Sequence, residues 1–331
     1  MVNPREAASD VAALYPLTLQ PIFKERIWGG RQLEPFYGAD LPAGSIGEAW
    51  VLGDHDQGTS VVTNGPLAGQ SLAGLRERYG AVLLGARGQS APGGRCPLLI
   101  KLLDAQDDLS VQVHPADDYA GLPPGELGKT EMWYILSARP GAQIVYGLKE
   151  GVESAAFAEA VRAGRTPEML RYLPVQAGDV FYVPAGTIHA LGAGTVVAEV
   201  QQSSDTVYRV YDYNRPGLDG KPRELHIEHA LRVARYDTPA QAFRPEPAPP
   251  NQWQPLTRSE FFTVERGRCT GTWTQQTDPG TFDALLVLEG EGAIRWNGGQ
   301  EPLRRGQALL VPAALGAYEL AGNLVLLRSR A

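Results

Sequence analysis

The amino-acid sequence predicts a mainly β protein of two sandwich or barrel units, with a small helical insertion in the first unit. Three observations predict this architecture. The 331 residues include 38 glycines and 26 prolines, which divide the chain into many short apolar runs separated by turns. Helical periodicity is confined to a few segments. Prolines are dense in residues 238–251, which indicates an extended linker rather than a helix or a central strand.

The first unit, expected over residues 1–240, contains two segments with helical patterns. Residues 71–80 begin at a serine that can cap a helix. Residues 151–172 contain an alanine-rich helix, then a Thr-Pro pair, and then a short further helix. We expect helical insertions at about these two places. The second would interrupt the first sheet unit between Glu131 and His189.

Polar side chains recur on one face of an otherwise apolar strand at Leu109–His114. A strand has a period of two, so Ser110, Gln112 and His114 share one face, and three aliphatic residues share the other. Polar groups on a buried face are costly unless something pairs with them. A metal ion or a polar substrate would provide that pairing.

Two further strands carry candidate ligands. In the run Lys129–Trp133 the same alternation places Lys129 and Glu131 on one side. His189 follows the apolar run 180–183 through a turn that contains a proline and a glycine. A single buried His or Glu is more often a hydrogen-bonded structural residue. Two imidazoles, a carboxylate and a carboxamide together suit a divalent metal of zinc type, with room left for a substrate.

The second unit, expected over residues 241–331, resembles the first but lacks its candidate ligands. Residues 306–317 align with residues 178–189, and Ala317 stands where His189 stands. This part of the chain contains no histidine. We therefore expect a small degenerate sheet domain that binds no metal.

Composition restricts the partners and the location. Thirty basic and 37 acidic residues give a formal charge of −7, which argues against non-specific binding to nucleic acid or to an anionic membrane. Cys96 and Cys269 form neither a disulfide framework nor a thiolate metal site. No apolar stretch approaches the roughly 18 residues that span a membrane. Residues 1–10 have no hydrophobic signal core, so we expect a cytoplasmic protein.

Six stretches of the chain resemble, in the same order, segments of one enzyme family. They are Ile27–Gly30, Ile46–Trp50, Pro97–Pro115, Gly128–Tyr134, Val183–His189 and Ser204–Arg215. Together they resemble the type I mannose-6-phosphate isomerases, which are zinc enzymes of the cupin superfamily, and the total length suits the short bacterial branch. The resemblance implies two cupin-type jelly-roll units, one zinc ion per chain and interconversion of mannose 6-phosphate and fructose 6-phosphate.

The resemblance also implies roles for individual residues. The family's metal ligands fall on Gln112, His114, Glu131 and His189. Its active-site basic residues fall on Lys129 and Arg209, and Glu199 matches a further carboxylate of the site. No ligand position is substituted, so nothing indicates a degenerate catalytic site.

Isomerisation of an aldose to a ketose moves a proton between adjacent carbons through an enediol, which requires a general base. Lys129 would lie close to the positive charge of the metal, which favours its neutral amine form. Glu199 is the rival base, a metal-bound water is a third possibility, and the sequence does not decide among them. Arg209 offers a planar cationic fork suited to a phosphate or an oxyanion.

Two more residues are expected to contact the substrate. Lys101 lies in the apolar run Leu98–Leu103, where an unpaired ammonium would be expensive. We expect it to point into the polar cavity or to pair with a carboxylate there. Ser110 shares the strand face of Gln112.

Two other functions remain open at this stage. Two histidines and a carboxylate are also the ligands of iron oxygenases, although Gln112 stands where the common cupin motif has a histidine. A metal-bearing sugar-phosphate binding protein without turnover would need the same residues. For each function we expect a small sugar phosphate as the partner, and a monomer or a weak homodimer.

Overall fold

The computed structural model describes residues 14–89, 91–237 and 243–331. Strands dominate these residues, which confirms the prediction of a mainly β protein. The strands of the first half are β1 Leu17–Leu19, β2 Ile22–Gly30, β3 Ile46–Leu52, β4 Asp54–His55, β5 Gly58–Thr59, β6 Leu98–Ala105, β7 Val111–Val113, β8 Glu131–Ala138 and β9 Gln143–Leu148. Those of the second half are β10 Leu170–Pro174, β11 Val180–Val183, β12 His189–Leu191, β13 Thr195–Gln202, β14 Tyr208–Tyr211, β15 Trp253–Arg258, β16 Thr263–Gln276, β17 Asp283–Trp296, β18 Gly299–Arg304, β19 Ala308–Val311 and β20 Ala317–Arg330.

Short helices connect some of these strands. The α-helices are α1 Glu34–Tyr37, α2 Leu72–Tyr79, α3 Ala81–Gln89, α4 Ser154–Arg162 and α5 Ile227–Val233, and single 3₁₀ turns occur at Gly38–Asp40, Pro92–Gly94 and Thr166–Met169. Helix α2 lies within the segment predicted to be helical. The hydroxyl of Ser71 accepts a hydrogen bond from the backbone N–H of Gly74 at 3.2 Å and caps its first turn.

The second helical segment is shorter than its sequence pattern indicates. Helix α4 and the turn Thr166–Met169 lie within the predicted range 151–172, but Leu170–Pro174 is strand β10. The prediction of helix beyond Met169 is wrong. Strand β10 pairs antiparallel with β9, and these long-range hydrogen bonds override a weak local helical preference.

Two facing sheets surround the predicted ligands. One has the strand order β11-β8-β13-β6-β3-β2, and the other has the order β10-β9-β12-β7-β14. Side chains of both sheets, such as Trp133, Tyr146 and Phe181, form one buried cluster between them. Two sheets that pack around a shared interior in this way form a β-sandwich. On the outer face of the second sheet, α4 buries Phe157 in a separate cluster.

The other sheet has seven strands, in the order β1-β19-β17-β20-β16-β15, with β18 paired to β17. Strand β19 occupies the part of the sequence that aligns with β11, and Ala317 begins β20 as His189 begins β12. Strand β1 belongs to this sheet because Leu17 pairs with Leu310. The N-terminal strand therefore completes a sheet made otherwise of residues after 252.

The compact units of the chain are discontinuous in sequence. One comprises the described residues up to Ile22 together with Trp50–Ile100 and Glu246–Ala331. The other comprises the described parts of Phe23–Ala49 and Lys101–Pro245. The prediction of domains 1–240 and 241–331 assumed continuous segments, and a boundary at residue 240 falls outside the described residues. A linker pattern cannot reveal that an N-terminal strand returns to a distant sheet.

Candidate active site

Three buried side chains with metal-ligating atoms converge between the two facing sheets. His114 directly follows β7, Glu131 begins β8 and His189 begins β12. One ligating atom from each lies within 4.8 Å of those of the other two. Each side chain is 1% exposed. The structure therefore brings together three of the four predicted metal ligands at one point.

Backbone carbonyls fix both imidazoles in the orientation that a metal site needs. Nδ1 of His114 lies 2.8 Å from the carbonyl oxygen of Thr206, and Nδ1 of His189 lies 2.8 Å from that of Thr187. Because a carbonyl can only accept, each Nδ1 carries the proton and donates it. The unprotonated Nε2 atoms then face Glu131, and this is the usual outer-shell arrangement of ligating histidines.

The spacing of the ligating atoms suits one small cation. Nε2 of His114 lies 3.5 Å from Oε2 of Glu131, and Nε2 of His189 lies 3.4 Å from Oε1. Tetrahedral ligands at zinc-like bond lengths of 2.0–2.1 Å would be about 3.3–3.4 Å apart. Oε1 of Glu131 and Nε2 of His114 are buried without a hydrogen-bond partner among the described residues, and Oε2 of Glu131 has the Lys129 ammonium 3.2 Å away. Such atoms normally have partners, so this trio fits a divalent cation.

The electrostatics hold the trio in its ligating form. Burial, together with the positive charge of Lys129, lowers the pKa of His114 to about 3, and burial also lowers the pKa of His189. Burial alone would raise the pKa of Glu131, but the positive charge of Lys129 outweighs burial and holds that pKa well below its usual range. Neutral imidazoles and an ionised carboxylate are the forms that bind metal.

Gln112 joins the trio through its amide group. Residues Gln112 and His189 are directly paired across β7 and β12, and Nε2 of Gln112 lies 3.3 Å from Nε2 of His189. The hydroxyl of Ser110 lies 3.5 Å from the amide oxygen. Rotation of the amide by a half turn would place that oxygen toward the trio, and the nitrogen and oxygen of an amide are nearly isosteric. Gln112 as fourth ligand and Ser110 as a substrate contact stay predictions.

Two lysines and a second carboxylate line the same buried region. Nζ of Lys129 lies 3.2 Å from Oε2 of Glu131. Nζ of Lys101 lies 3.3 Å from Oε1 of Glu199, whose other oxygen accepts a hydrogen bond from the Trp133 indole at 3.0 Å. The Trp133 ring in turn lies edge-on to His189, with the ring centroids 5.4 Å apart. Lys101 thus pairs with a carboxylate despite its apolar sequence surroundings.

The two candidate bases have different electrostatic environments. Burial raises the pKa of Glu199, and the negative charge of Glu131 adds to this effect. Burial opposes the charge of Lys129, but Glu131 and Glu199 outweigh it and raise its pKa. The sequence argument, which placed Lys129 beside a metal ion, gave the opposite direction. In the chain alone, the carboxylates near Lys129 determine its protonation.

Arg209 approaches the site from β14. It is the strand partner of Gln112, and its Nε is buried without a hydrogen-bond partner. Burial lowers the pKa of Arg209, and Arg223 and Arg26 contribute to the lowering. In the part of the chain that the structure describes, its side chain forms no ion pair. A guanidinium with unused donors is suited to bind an anionic group.

Sequence reasoning missed two charged residues of this region, Arg26 and Glu48. Nε of Arg26 lies 2.7 Å from Oε1 of Glu48, and Oε2 of Glu48 lies 4.0 Å from Nζ of Lys101. Both lie in or beside stretches that resemble family segments, Ile46–Trp50 and Ile27–Gly30. Charged residues such as these usually lie on the surface, so the sequence gives no sign that they belong to the site. The contact between Arg26 and Glu48 becomes evident only because β2 pairs with β3.

Comparison with known proteins identifies the family. Residues 17–127 match the catalytic domain of type I phosphomannose isomerase, and residues 254–331 match the cupin domain of mannose-6-phosphate isomerase. A mannose-6-phosphate isomerase of Streptococcus mutans is 40% identical over 327 residues, which cover 95% of this chain and 98% of that protein. The chain belongs to the type I phosphomannose isomerase family. The family resemblance and the cupin architecture are therefore confirmed.

Further members of the phosphomannose isomerase family match over nearly their full length. A probable mannose-6-phosphate isomerase of Bacillus subtilis is 39% identical, with 93% of this chain and 97% of that protein covered. The crystal structure of a B. subtilis mannose 6-phosphate isomerase superposes with a TM-score of 0.85 at 35% identity, and the match covers 96% of this chain and 99% of that one.

Among the described residues, no helix is long and apolar enough to cross a membrane.

If the trio binds zinc, addition of zinc is expected to raise the stability of this protein. A ligand that binds only the folded state adds about 2.7 kcal/mol to the free energy of unfolding when its free concentration is about 100 times Kd. We expect the melting temperature of chelator-treated protein to rise on addition of zinc, measured by calorimetry. The same addition to His189→Ala should give a much smaller rise. Equal stabilisation of both proteins would show that zinc binds elsewhere.

Proposed function

We propose that this protein interconverts mannose 6-phosphate and fructose 6-phosphate and uses one zinc ion per chain. The observation that carries the proposal is the buried trio of His114, Glu131 and His189, with the ammonium of Lys129 3.2 Å from the Glu131 carboxylate. Membership of the type I phosphomannose isomerase family supports this substrate pair. We further propose Gln112 as the fourth protein ligand.

When bound, the cation would stabilise the negative charge that develops on the two substrate oxygens as the enediol forms. Lys129 lies beside the trio, so its ammonium would contact the same oxygens. Arg209, which forms no ion pair with any described residue, would bind the anionic end of the sugar phosphate. Ser110 and Lys101 would orient the hydroxyl groups between these two ends. The buried trio excludes water, which strengthens each of these interactions.

We assign the transfer of the carbon-bound proton to Glu199. Its carboxylate is held by the Trp133 indole and by Lys101, so its orientation is fixed. Burial raises its pKa, which brings the carboxylate closer to the basicity that proton abstraction near neutral pH requires. Lys129 remains the rival base, because it lies closer to the trio.

Glu199→Gln is expected to lower kcat by about 10²- to 10⁴-fold, since a positioned base contributes that much. The amide keeps the size of the side chain and can still accept the indole hydrogen bond. The measurement is turnover in D₂O, with deuterium at C1 or C2 of the sugars read by NMR. Deuterium exchange should be lost with turnover. Undiminished exchange in Glu199→Gln, together with its loss in Lys129→Met, would assign the base to Lys129 instead.

The activity is tested by incubating zinc-loaded protein with each sugar phosphate and measuring the other with a coupled dehydrogenase. Both directions should reach the same equilibrium mixture. A folded protein that converts neither sugar with zinc, manganese, cobalt or iron would contradict the proposal. Oxygen consumption with iron would then favour the oxygenase, and binding without conversion would favour the sugar-phosphate binding protein. A cytoplasmic location and a monomer or weak homodimer complete the proposal.

A further inference from the structure

A row of alternating charges crosses the sheet that holds Glu131. From the edge inward it consists of Arg26 on β2, Glu48 on β3, Lys101 on β6 and Glu199 on β13. The successive contacts are 2.7, 4.0 and 3.3 Å. The Trp133 indole links Glu199 to the trio, since it donates a hydrogen bond to Glu199 and packs edge-on against His189. Arg26 therefore lies on the same face of the sheet as the metal trio.

The donors of Arg26 are only partly used. Its Nε binds Glu48, and its Nη1 donates to the backbone carbonyl of Glu25 at 3.3 Å. Among the described residues, Nη2 has no hydrogen-bond partner. The Arg26 side chain is 32% exposed, whereas Lys101 is 4% exposed. Arg26 thus presents donors at the accessible end of the row, and the trio lies at the buried end.

A second guanidinium with unused donors lies nearby. Arg26 is on the last strand of one sheet, and Arg209 is on the last strand of the facing sheet. Arg209 is directly paired with Gln112, whose amide lies 3.3 Å from Nε2 of His189, so Arg209 and Arg26 both lie on the sheet faces that hold the trio. The positive charge of Arg26 also contributes to the lowered pKa of Arg209, which agrees with this placement. Among the described residues, no carboxylate forms an ion pair with both guanidinium groups, and two cations held close in this way favour a bound anion. A phosphate dianion can accept hydrogen bonds from both.

We propose that Arg26, oriented by Glu48, binds the phosphate of the substrate together with Arg209. This inference rests on the proposed function, because the trio would hold the reacting end of the sugar. Arg223 also lies within Coulomb range of Arg209. Its Nε and Nη2 already bind the two oxygens of Asp212 at 2.7 and 2.6 Å. Two donors of Arg223 are thus held by a carboxylate, whereas Arg26 gives only its Nε to a carboxylate, so Arg26 has more donors left for phosphate.

The test is Arg26→Gln in the zinc-loaded full-length protein. We expect KM for mannose 6-phosphate to rise about 10- to 100-fold, as for the loss of hydrogen bonds between charged groups, and kcat to change less than about threefold. Calorimetric affinity for inorganic phosphate should fall by a similar factor. Arg26→Lys keeps the positive charge but lacks the planar guanidinium group, so it should retain part of the substrate and phosphate affinity that Arg26→Gln loses. Glu48→Gln should give a smaller rise in KM, because Arg26 loses its support.

Arg76→Gln is the matched control, since Arg76 also binds a buried carboxylate through Nε at 2.7 Å, but its partner Asp54 is not part of the row and belongs to the other compact unit. It should leave KM and phosphate affinity unchanged. Unchanged phosphate affinity in Arg26→Gln would overturn the inference, as would a loss only in Arg223→Gln or the absence of phosphate binding by the unaltered protein. If the unaltered protein binds phosphate through Arg26 but does not isomerise the sugar, only the proposed function fails.

Discussion

His114→Ala and His189→Ala are each expected to abolish zinc binding and isomerase activity together. Each histidine directs a deprotonated Nε2 at Glu131, and the other nitrogen is locked on a backbone carbonyl. Alanine removes one of at most four proposed protein ligands. The buried negative charge of Glu131 is then less well balanced, because the metal ion would be held more weakly. Loss of an outer-shell partner alone typically costs 10- to 100-fold, so we expect a fall in kcat/KM on the order of 10³-fold or more.

The measurement is zinc content by metal analysis, with kcat/KM for mannose 6-phosphate in the same samples. His229→Ala is a suitable control. His229 stacks on Tyr208 and contacts the Tyr119 hydroxyl, and it belongs to no metal-ligating group among the described residues. It should retain zinc and activity. Either trio variant with full zinc content and normal turnover would contradict the assignment of that histidine.

Lys129→Met is expected to remove activity while zinc remains bound. Lys129 forms an ion pair with Glu131 at 3.2 Å but is not itself a ligand in the proposed site. Methionine fills a similar volume without charge, so the variant lacks the ammonium group that we propose contacts the substrate oxygens. A positioned charged group of this kind contributes about 10²- to 10⁴-fold to kcat, and we expect a loss of that size.

Steady-state kinetics and metal analysis on the same preparation separate this outcome from a folding defect. Lys149→Met serves as the control, because Lys149 is exposed and its side chain has no polar contact with any residue that the structure describes. It should match the unaltered protein in both readouts. A Lys129→Met protein that turns over within about threefold of normal would show that Lys129 has no part in the reaction. If the Lys129→Met protein also lost its zinc, the result would show that Lys129 helps to retain the metal.

Local periodicity predicted the parts of the site that depend on single strands. The alternation of Leu109–His114 placed Gln112 and His114 on one face, and that of Lys129–Trp133 did the same for Lys129 and Glu131. Both assignments depend only on the period of a β-strand, which neighbours in the sheet do not change. His189 reaches these residues only because β12 pairs with β7. Its place in the site was predicted from the resemblance to a known family, not from periodicity.

Features that depend on long-range pairing were not predictable in this way. Arg26 lies in a charged stretch that resembles an exposed strand, and its contact with Glu48 appears only when β2 lies beside β3. Strand β1 pairs with β19, nearly 300 residues away, so the compact units differ from the continuous domains that the linker indicated. Residues 170–172, which the local sequence pattern predicts as helix, belong to strand β10 because they pair with β9.

The most direct test of the metal-centred isomerase is a zinc titration of chelator-treated protein, with bound zinc and the rate of mannose 6-phosphate conversion followed in the same samples. Because the trio would hold one ion, both quantities should rise together and level off at one zinc per chain. The His189→Ala protein should show neither rise. Full activity before zinc is added, or a rate that stays at zero after one equivalent has bound, would contradict the proposed site.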